Sequence, residues 1–317
     1  MKTIFILSKQ DIELSKQEVL ALTKKKKHVL YDNLLITDTR FRNYKRLAYT
    51  KEIHRLLFIT TKNQLEKDIN NFKWKKIYKK NFCIRAHNFK NTENTERSLA
   101  SLIWNNLSLP KAKLRNPSTE IIFNKINNRI IVSLKIEELK EKFESRKPHL
   151  RPELHPSSLH PRLARAMVNL TGIKKGTLLD PFCGSGGILI EAGMINLKPT
   201  GYDIDKIMLK RAEINLKHFK IKDCTLKLKD ATKIKTKFNY IATDLPYSKN
   251  TRAKDLNILY KEFLKTLKQI LKKKAVIGFP DFIDYKKLIK QAKLKAEEEF
   301  TYYLHKSLTK KIVIIRP

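Results

Sequence analysis

Cysteine is scarce in this chain: Cys83, Cys183 and Cys224 are widely separated and form no CxxC pair. That excludes a disulfide scaffold and argues against a cysteine-based zinc site. There is no apolar run of the roughly 18 residues a membrane span needs and no signal peptide, so a soluble, intracellular, cytoplasmic protein is expected. Acidic residues are also few. Against 68 Lys and Arg stand 31 Asp and Glu, a formal net charge of +37 over 317 residues. Such an excess makes a polyanion, nucleic acid above all, the leading partner class. An anionic membrane is a weaker candidate, because the basic residues do not gather beside one amphipathic helix or lipidation signal. With 41% hydrophobic residues the chain can bury real cores, and its length suits two domains.

The stretch Gly176 to Gly193, GTLLDPFCGSGGILIEAG, is the first strong feature. Thr177 to Leu179 reads as a short apolar strand ending in Asp180, followed by a tight Gly184-Ser185-Gly186-Gly187 turn and a helix that buries Ile188, Leu189 and Ile190. Glycines permit close backbone approach, and free N–H groups at a helix start favour a carboxylate or other anion. Taken alone, the pattern fits equally a plain turn whose glycines only seat the helix on the strand.

Upstream, Met1 to Ser8 predicts a strand and Asp11 to Ala21 a helix. Lys24 to Lys27 reads as a solvated run, and Arg40 to Arg46 mixes cations with Phe41 and Tyr44, a composition suited to packing or to phosphate contact. Leu65 to Phe72 and Thr95 to Asn105 predict helices, Thr95 being a candidate cap; Phe82 to Ala86 predicts a strand. Glu120 to Ile126 and Arg129 to Ile136 predict a hairpin turned by Asn127-Asn128. This half has no glycine-rich ligand turn, so a binding domain is the better reading. Phe143 to Pro161 carries four prolines and reads as a stiff connection, with Arg146, Lys147 and Arg151 available to a phosphate backbone. The spacing of His149, His155 and His160 fits neither a helical pair nor a finger, and no metal is expected. Leu159 to Leu170 predicts a helix opened by Pro161, with Arg162 and Arg165 facing solvent or ligand.

Downstream of the glycine turn, Thr200 to Asp203 predicts a second strand ending in an acid, placed where a doubly wound unit holds a ribose hydroxyl pair. A dinucleotide fingerprint would need glycine where the chain has Leu189, which disfavours a nicotinamide or flavin. Asp205 reads as a helix cap, and Asp230, after the strand Thr225 to Leu228, as an adenine-amine acceptor or a turn cap. Phe238 to Ala242 then delivers Asp244-Leu245-Pro246-Tyr247. Here a carboxylate, a proline-fixed loop and an aromatic ring suit a flat base carrying an exocyclic amine: Asp244 and the Leu245 carbonyl accept from the amine, and Tyr247 stacks on the ring. The helix Lys254 to Lys272, strand Ala275 to Phe279, helix Phe282 to Ala292 and two antiparallel strands, Phe300 to Lys306 and Lys311 to Ile315, complete a mostly parallel, doubly wound α/β sheet of seven strands.

At DPFCGSG, GYDID, KDAT and TDLPY the chain resembles the class I S-adenosylmethionine-dependent methyltransferases that modify exocyclic amines. Together with SRKPHLRPELHPSSLHPRLARAMVNL it looks like the archaeal tRNA guanosine-10 N2-methyltransferases and their eukaryotic catalytic relatives. The resemblance implies a Rossmann-like sheet with a separate α+β RNA-binding region: a ferredoxin-like portion over residues 1–50, a THUMP-like domain over 51–142, a linker over 143–160 and the methyltransferase domain over 161–317. It implies S-adenosyl-L-methionine as cofactor, held by Asp180, Pro181, Phe182, Cys183, Gly184, Ser185, Gly186, Asp203, Asp230 and Ala231. Asp244, Leu245, Pro246 and Tyr247 become the catalytic loop and tRNA the partner. From composition and spacing neither metal nor membrane is expected, and the working form is expected to be a monomer.

The chain departs from that family at one place: it has DLPYS where DPPYG is usual, with Leu245 in place of a proline and Ser248 in place of glycine. Loop shape, and the addition of one or two methyl groups, turn on this change. Asp244 separates the chain from relatives acting on guanosine 6 or on ribosomal guanines, which usually carry asparagine there. The alternatives are an amino-methyltransferase acting on another tRNA position, ribosomal RNA or DNA, and a non-catalytic basic RNA-binding protein.

Overall fold

The computed structural model describes residues 2–154, 158–247, 253–305 and 308–317. Its chain forms two compact units: residues 1–12, 25–44 and 50–140 make one, and 13–24, 45–49 and 141–317 the other. Helix α1 (Ile12–Thr23) therefore belongs almost wholly to the second unit.

The first unit is one mixed sheet of β1 (Lys2–Leu7), β2 (Val29–Tyr31), β3 (Leu34–Asp38), β4 (Thr50–Thr60), β5 (Phe82–His87), β6 (Thr119–Ile126) and β7 (Arg129–Glu138), ordered β2-β3-β1-β4-β7-β6-β5. Helices α2 (Leu65–Asn71) and α3 (Thr92–Trp104) belong to it, and Ile69, Trp74, Phe82, Leu99, Ile103 and Phe123 share its core. Asn127, at φ 52°, makes the expected left-handed turn between β6 and β7. The expected boundary at residue 50 is no break in the sheet, because β4 pairs with β1 on one side and β7 on the other. Helix α3 starts earlier than expected: Thr95 lies inside it, and its hydroxyl donates to the Asn91 carbonyl at 2.6 Å rather than capping.

The second unit holds α4 (Pro161–Leu170), β8 (Thr177–Asp180), α5 (Gly187–Gly193), β9 (Lys198–Asp203), α6 (Lys206–His218), β10 (Thr225–Leu228), β11 (Phe238–Asp244), α7 (Ala253–Ile270), β12 (Leu271–Pro280), α8 (Tyr285–Gln291), β13 (Lys295–His305) and β14 (Leu308–Arg316). Its sheet runs β10-β9-β8-β11-β12-β14-β13. The first five strands are parallel, and β14 enters antiparallel to β12 and β13. Successive residues of the central strands fall on opposite faces: Leu178, Val276 and Ile314 join the core that includes Leu163 and Met167 of α4. Leu179, Ile277 and Ile315 join the one that includes Tyr260, Phe263 and Leu267 of α7. A sheet covered on both sides reads as continuous apolar runs, as LLD, AVIGF and IVII do here. The order of strands reverses between β8 and β11, and the acids at their carboxyl ends meet there.

Residues expected to form a linker are instead part of this unit. Arg146, Arg151 and Arg165, predicted to meet phosphate or solvent, are all buried. The reason is Glu191 on α5, whose carboxylate is fully enclosed and accepts from Arg146 Nε at 2.7 Å and pairs with Arg165 Nη2 at 2.8 Å; Arg151 Nε donates to the Arg146 carbonyl at 3.0 Å. A buried carboxylate needs cations as much as they need it. His155 and Lys306 lie outside the described residues; His160 caps α4, accepting from Arg162 N.

Glu18 ties α1 into the same unit. Its buried carboxylate accepts from Ala48 N (2.7 Å), Tyr49 N (2.9 Å) and Asn169 Nδ2 (2.6 Å), while Arg46 donates to Asn169 Oδ1 and the Ile173 carbonyl, each at 2.9 Å. Glu18→Ala strands three buried donors and is expected to cost about 3 kcal/mol or more, given 1–3 kcal/mol for each unsatisfied group. Urea denaturation measures the loss; a change below about 1 kcal/mol would show that water replaces the carboxylate.

Candidate functional site

A cavity of about 400 Å³ opens at the carboxyl ends of β8, β9 and β11. Asp180, Pro181, Phe182, Cys183, Gly184, Ser185, Asp203, Asp230, Ala231, Asp244, Leu245, Pro246 and Tyr247 all line it. Of the residues expected to form the site, Gly186 alone stays outside the lining. It caps α5 in the left-handed region at φ 88°, and a Cβ there would lie 3.3 Å from that of Ala212, so its work is to let α5 turn tightly beside α6.

Each carboxylate is managed differently. Asp180 is buried and accepts from Thr243 Oγ1 (2.7 Å) and Phe182 N (3.2 Å). Burial pushes it up to about 7; those two hydrogen bonds oppose the rise, and the charges of Asp203 and Asp244 add to it. Asp203 accepts from Gly184 N (2.8 Å) and Asp205 N (2.9 Å), which fixes the glycine turn over the end of β9 and leaves acceptor capacity on both oxygens. Asp230 caps the turn Ala231–Lys233, accepting from Thr232 N (2.9 Å) and Oγ1 (2.7 Å), contacts that hold it below the usual carboxylate range. Asp205 caps α6 through Ile207 N and Met208 N, as its position predicts.

Asp244 ends β11. One of its oxygens is hydrogen-bonded to Lys310 Nζ from β14, and the other has no partner among the described residues. That second oxygen occupies space that only a glycine leaves: a Cβ on Gly278 would sit 2.5 Å from it. Burial raises Asp244, against the pull of Lys310. The Tyr247 ring is half-buried, and burial followed by the Asp244 charge pushes its hydroxyl up to about 12, so it is neutral. Cys183 is buried too, its thiol pushed far up by burial and by Asp180 and Asp203; it remains protonated and is no nucleophile.

The unusual Leu245 brings its own restraint. Its N–H donates to the Gly278 carbonyl at 3.0 Å, a bond a proline could not make, and its side chain is buried in the core beside Tyr260. Tyr260 donates from its hydroxyl to the Pro246 carbonyl at 2.7 Å. Two hydrogen bonds thus hold the loop where one proline is missing. Ser248 lies outside the described residues.

Sequence reasoning missed Ser158, Ile204, Met208 and Lys310. Ser158 bonds Ser185 hydroxyl to hydroxyl at 2.9 Å. Ile204, next to Asp203 at the cavity, is 74% exposed, an apolar side chain with no apolar cover. Its signal was present in GYDID, an apolar residue directly after the strand-end acid. The cavity therefore offers carboxylates for a cation and hydroxyls, and an open apolar wall for a flat ring. S-adenosyl-L-methionine, with its sulfonium, ribose and adenine, fits that set of groups. Among the described residues no group of three or more His, Cys, Asp or Glu side chains is placed to hold a metal ion, and no helix is long and apolar enough to cross a membrane.

A fold that holds the Asp180 proton to about pH 7, against 3.8 ordinarily, is favoured below about pH 4 and loses that contribution as the pH rises through 7. Asn keeps an acceptor for Thr243 and Phe182 without the charge. Asp180→Asn is expected to raise Tm by about 2–4 °C at pH 8 and to lose the advantage near pH 4. Differential scanning calorimetry at both values checks this; an equal effect at both would mean Asp180 is not protonated by the fold.

A family model described as "RMKL-like, methyltransferase domain" matches residues 148–310, and one described as "DNA methylase" matches residues 2–213, stopping short of Asp244. The chain is 34% identical over 282 residues to the tRNA (guanine(10)-N2)-dimethyltransferase of Methanothermobacter thermautotrophicus, covering 86% of this chain and 83% of that one. It is 35% identical over 256 residues to the protein of the same name from Pyrococcus abyssi, covering 78% and 77%. The crystal structure of TrmN from Thermus thermophilus shares the fold, with a TM-score of 0.54 at 15% identity over 100% of this chain and 99% of that one. With relatedness running through both units and the strand-end acids gathered at one cavity, the chain belongs to the tRNA (guanine(10)-N2)-dimethyltransferase family of class I methyltransferases.

Proposed function

We propose that the protein is an S-adenosyl-L-methionine-dependent tRNA (guanine-N2)-methyltransferase acting at guanosine 10. The observation that carries this is the meeting of Asp180, Asp203, Asp230 and the Asp244–Tyr247 loop around one cavity, in a chain related over most of its length to enzymes of that name. The cofactor supplies a methyl group on a positively charged sulfur. Asp203 holds the ribose hydroxyls, Asp230 and Ala231 meet the adenine, and Ser185 and Gly187 at the start of α5, beyond the Gly184 N–H that Asp203 already holds, face the amino-acid carboxylate.

Tyr247 stacks on the guanine, and Asp244 with the Leu245 carbonyl accepts hydrogen bonds from its exocyclic amine. An amine conjugated to a purine is a poor nucleophile because its lone pair is delocalised. Two acceptors orient it, and the Asp244 carboxylate stabilises the positive charge that develops on nitrogen and takes up the proton it sheds. The first unit, including a THUMP-like module over residues 51–142, grips the tRNA through the basic excess of the chain, and the protein works in the cytoplasm as a monomer.

Reaction with a deuterated methyl donor and unmodified tRNA, read by nucleoside mass spectrometry, is expected to give N2-methylated guanosine at position 10 and to report whether one or two methyl groups enter. Methylated adenosine or cytidine instead would overturn the assignment. Asp244→Ala is expected to lower the rate about 100- to 1000-fold with donor affinity kept. Asp203→Ala should weaken donor binding by about 1–3 kcal/mol in calorimetry. Equal donor affinity in both variants would remove Asp203 from the cofactor site.

A further inference from the structure

Lys310 is 1% exposed, in a chain whose other cations are mostly at the surface. Burying an ammonium is costly, and an apolar side chain of similar size on an interior strand would usually serve stability as well or better. The topology explains how it reaches the site. Because β14 runs antiparallel to β12, its first residues lie at the carboxyl ends of the parallel strands, Lys310 opposite Pro280 and Ile312 opposite Gly278, which in turn stands opposite Asp244. The ammonium has two partners, the Asp244 carboxylate and the face of Tyr247, whose centroid is 4.2 Å away. These are the two groups assigned to the amine and to the base.

We propose that Lys310 is a positioning residue for methyl transfer, its ammonium fixing the rotamer of Asp244 and the plane of Tyr247. The inference rests on the reading of Asp244 as the amine's acceptor. One carboxylate oxygen is held by Lys310 and the other rests against Gly278, so the group cannot turn away as the base enters. Burial favours the neutral form of both partners, and their attraction opposes this in each. Around the pair, the Asp244 charge helps Asp180 of β8 keep its proton, Tyr260 of α7 and Tyr247 stay neutral, and Tyr302 of β13 stands opposite Lys310 in register; no second cation faces Asp244 among the described residues. The cation has a cost: it tempers the attraction of Asp244 for charge developing on the amine. Removing it thus leaves a carboxylate that is more basic but poorly oriented and protonated at higher pH.

Lys310→Met, Lys310→Gln and Lys310→Arg separate charge from shape. Met and Gln are expected to lower kcat about 100-fold, with donor affinity unchanged. They should also move the acid limb of the pH–rate profile upward by about one to three units, whereas Arg keeps the limb near its original place. A second readout needs no activity. At pH 8, Lys310→Met should lower Tm in the parent but far less in Asp244→Asn, because only the parent is left with an unpaired buried carboxylate. An unmoved acid limb with additive Tm changes would overturn the proposal, as would failure of all three variants to fold, which would assign Lys310 to folding alone. An absence of methyl transfer by the parent, with the Tm coupling intact, would instead fault the functional reading and leave the pairing standing.

Discussion

Gathering acids at the carboxyl ends of neighbouring parallel strands creates a problem of like charge, and the second unit is arranged around its solution. Asp180 retains its proton to about pH 7, Asp203 and Asp230 are occupied by backbone and hydroxyl donors, and Asp244 is paired across the sheet with Lys310. Each answer uses a different neighbour: Thr243 on the next strand, the glycine turn, Thr232, and the antiparallel β14. The result is a locally anionic pocket in a protein carrying +37 overall. The two fields act at different ranges. The long-range one attracts a polyanion; the short-range one receives a cation.

Much of this was legible in the residues. Thr225–Leu228 as a strand, the Asn127-Asn128 turn, the cap at Asp205 and the gathering of strand-end acids all follow from local pattern, because turn chemistry and period act over a few residues. What could not be read was pairing over distance. Lys310 stands 66 positions from Asp244 in a chain dense with lysine, and nothing local distinguishes it from its neighbour Lys311, whose amine bonds the exposed Thr301. Arg146, Arg151 and Arg165 looked like surface cations for the same reason. Their burial depends on Glu191, which sits in an apolar helix and carries no outward sign of its partners. The loop at Leu245 shows the converse: losing a proline suggested looseness, while the N–H it regained found the Gly278 carbonyl.

The buried polar clusters in the second unit share a logic. Glu191 with its arginines and Glu18 with Asn169 and Arg46 each join segments distant in sequence through groups that tolerate no substitute partner. Apolar contacts could supply comparable energy, but a half-satisfied carboxylate in a dry interior rejects any other alignment of α1, α4 and α5. Such contacts constrain the backbone beneath the glycine turn, since α5 begins at Gly187 in the cavity wall.

That Glu18 and residues 45–49 belong to the second unit while the strands between and after them belong to the first means the chain passes between the units several times before residue 141. The two are not cassettes joined end to end. A gene fusion or recombination point placed at the apparent connection would carry off α1 and strand Asn169 and Arg46's carbonyl acceptor Ile173 without their partners, exposing the core that Leu14 and Tyr49 cover. Residues 13–24 and 45–49 therefore have to travel with residues 141–317 for the core of the second unit to stay closed.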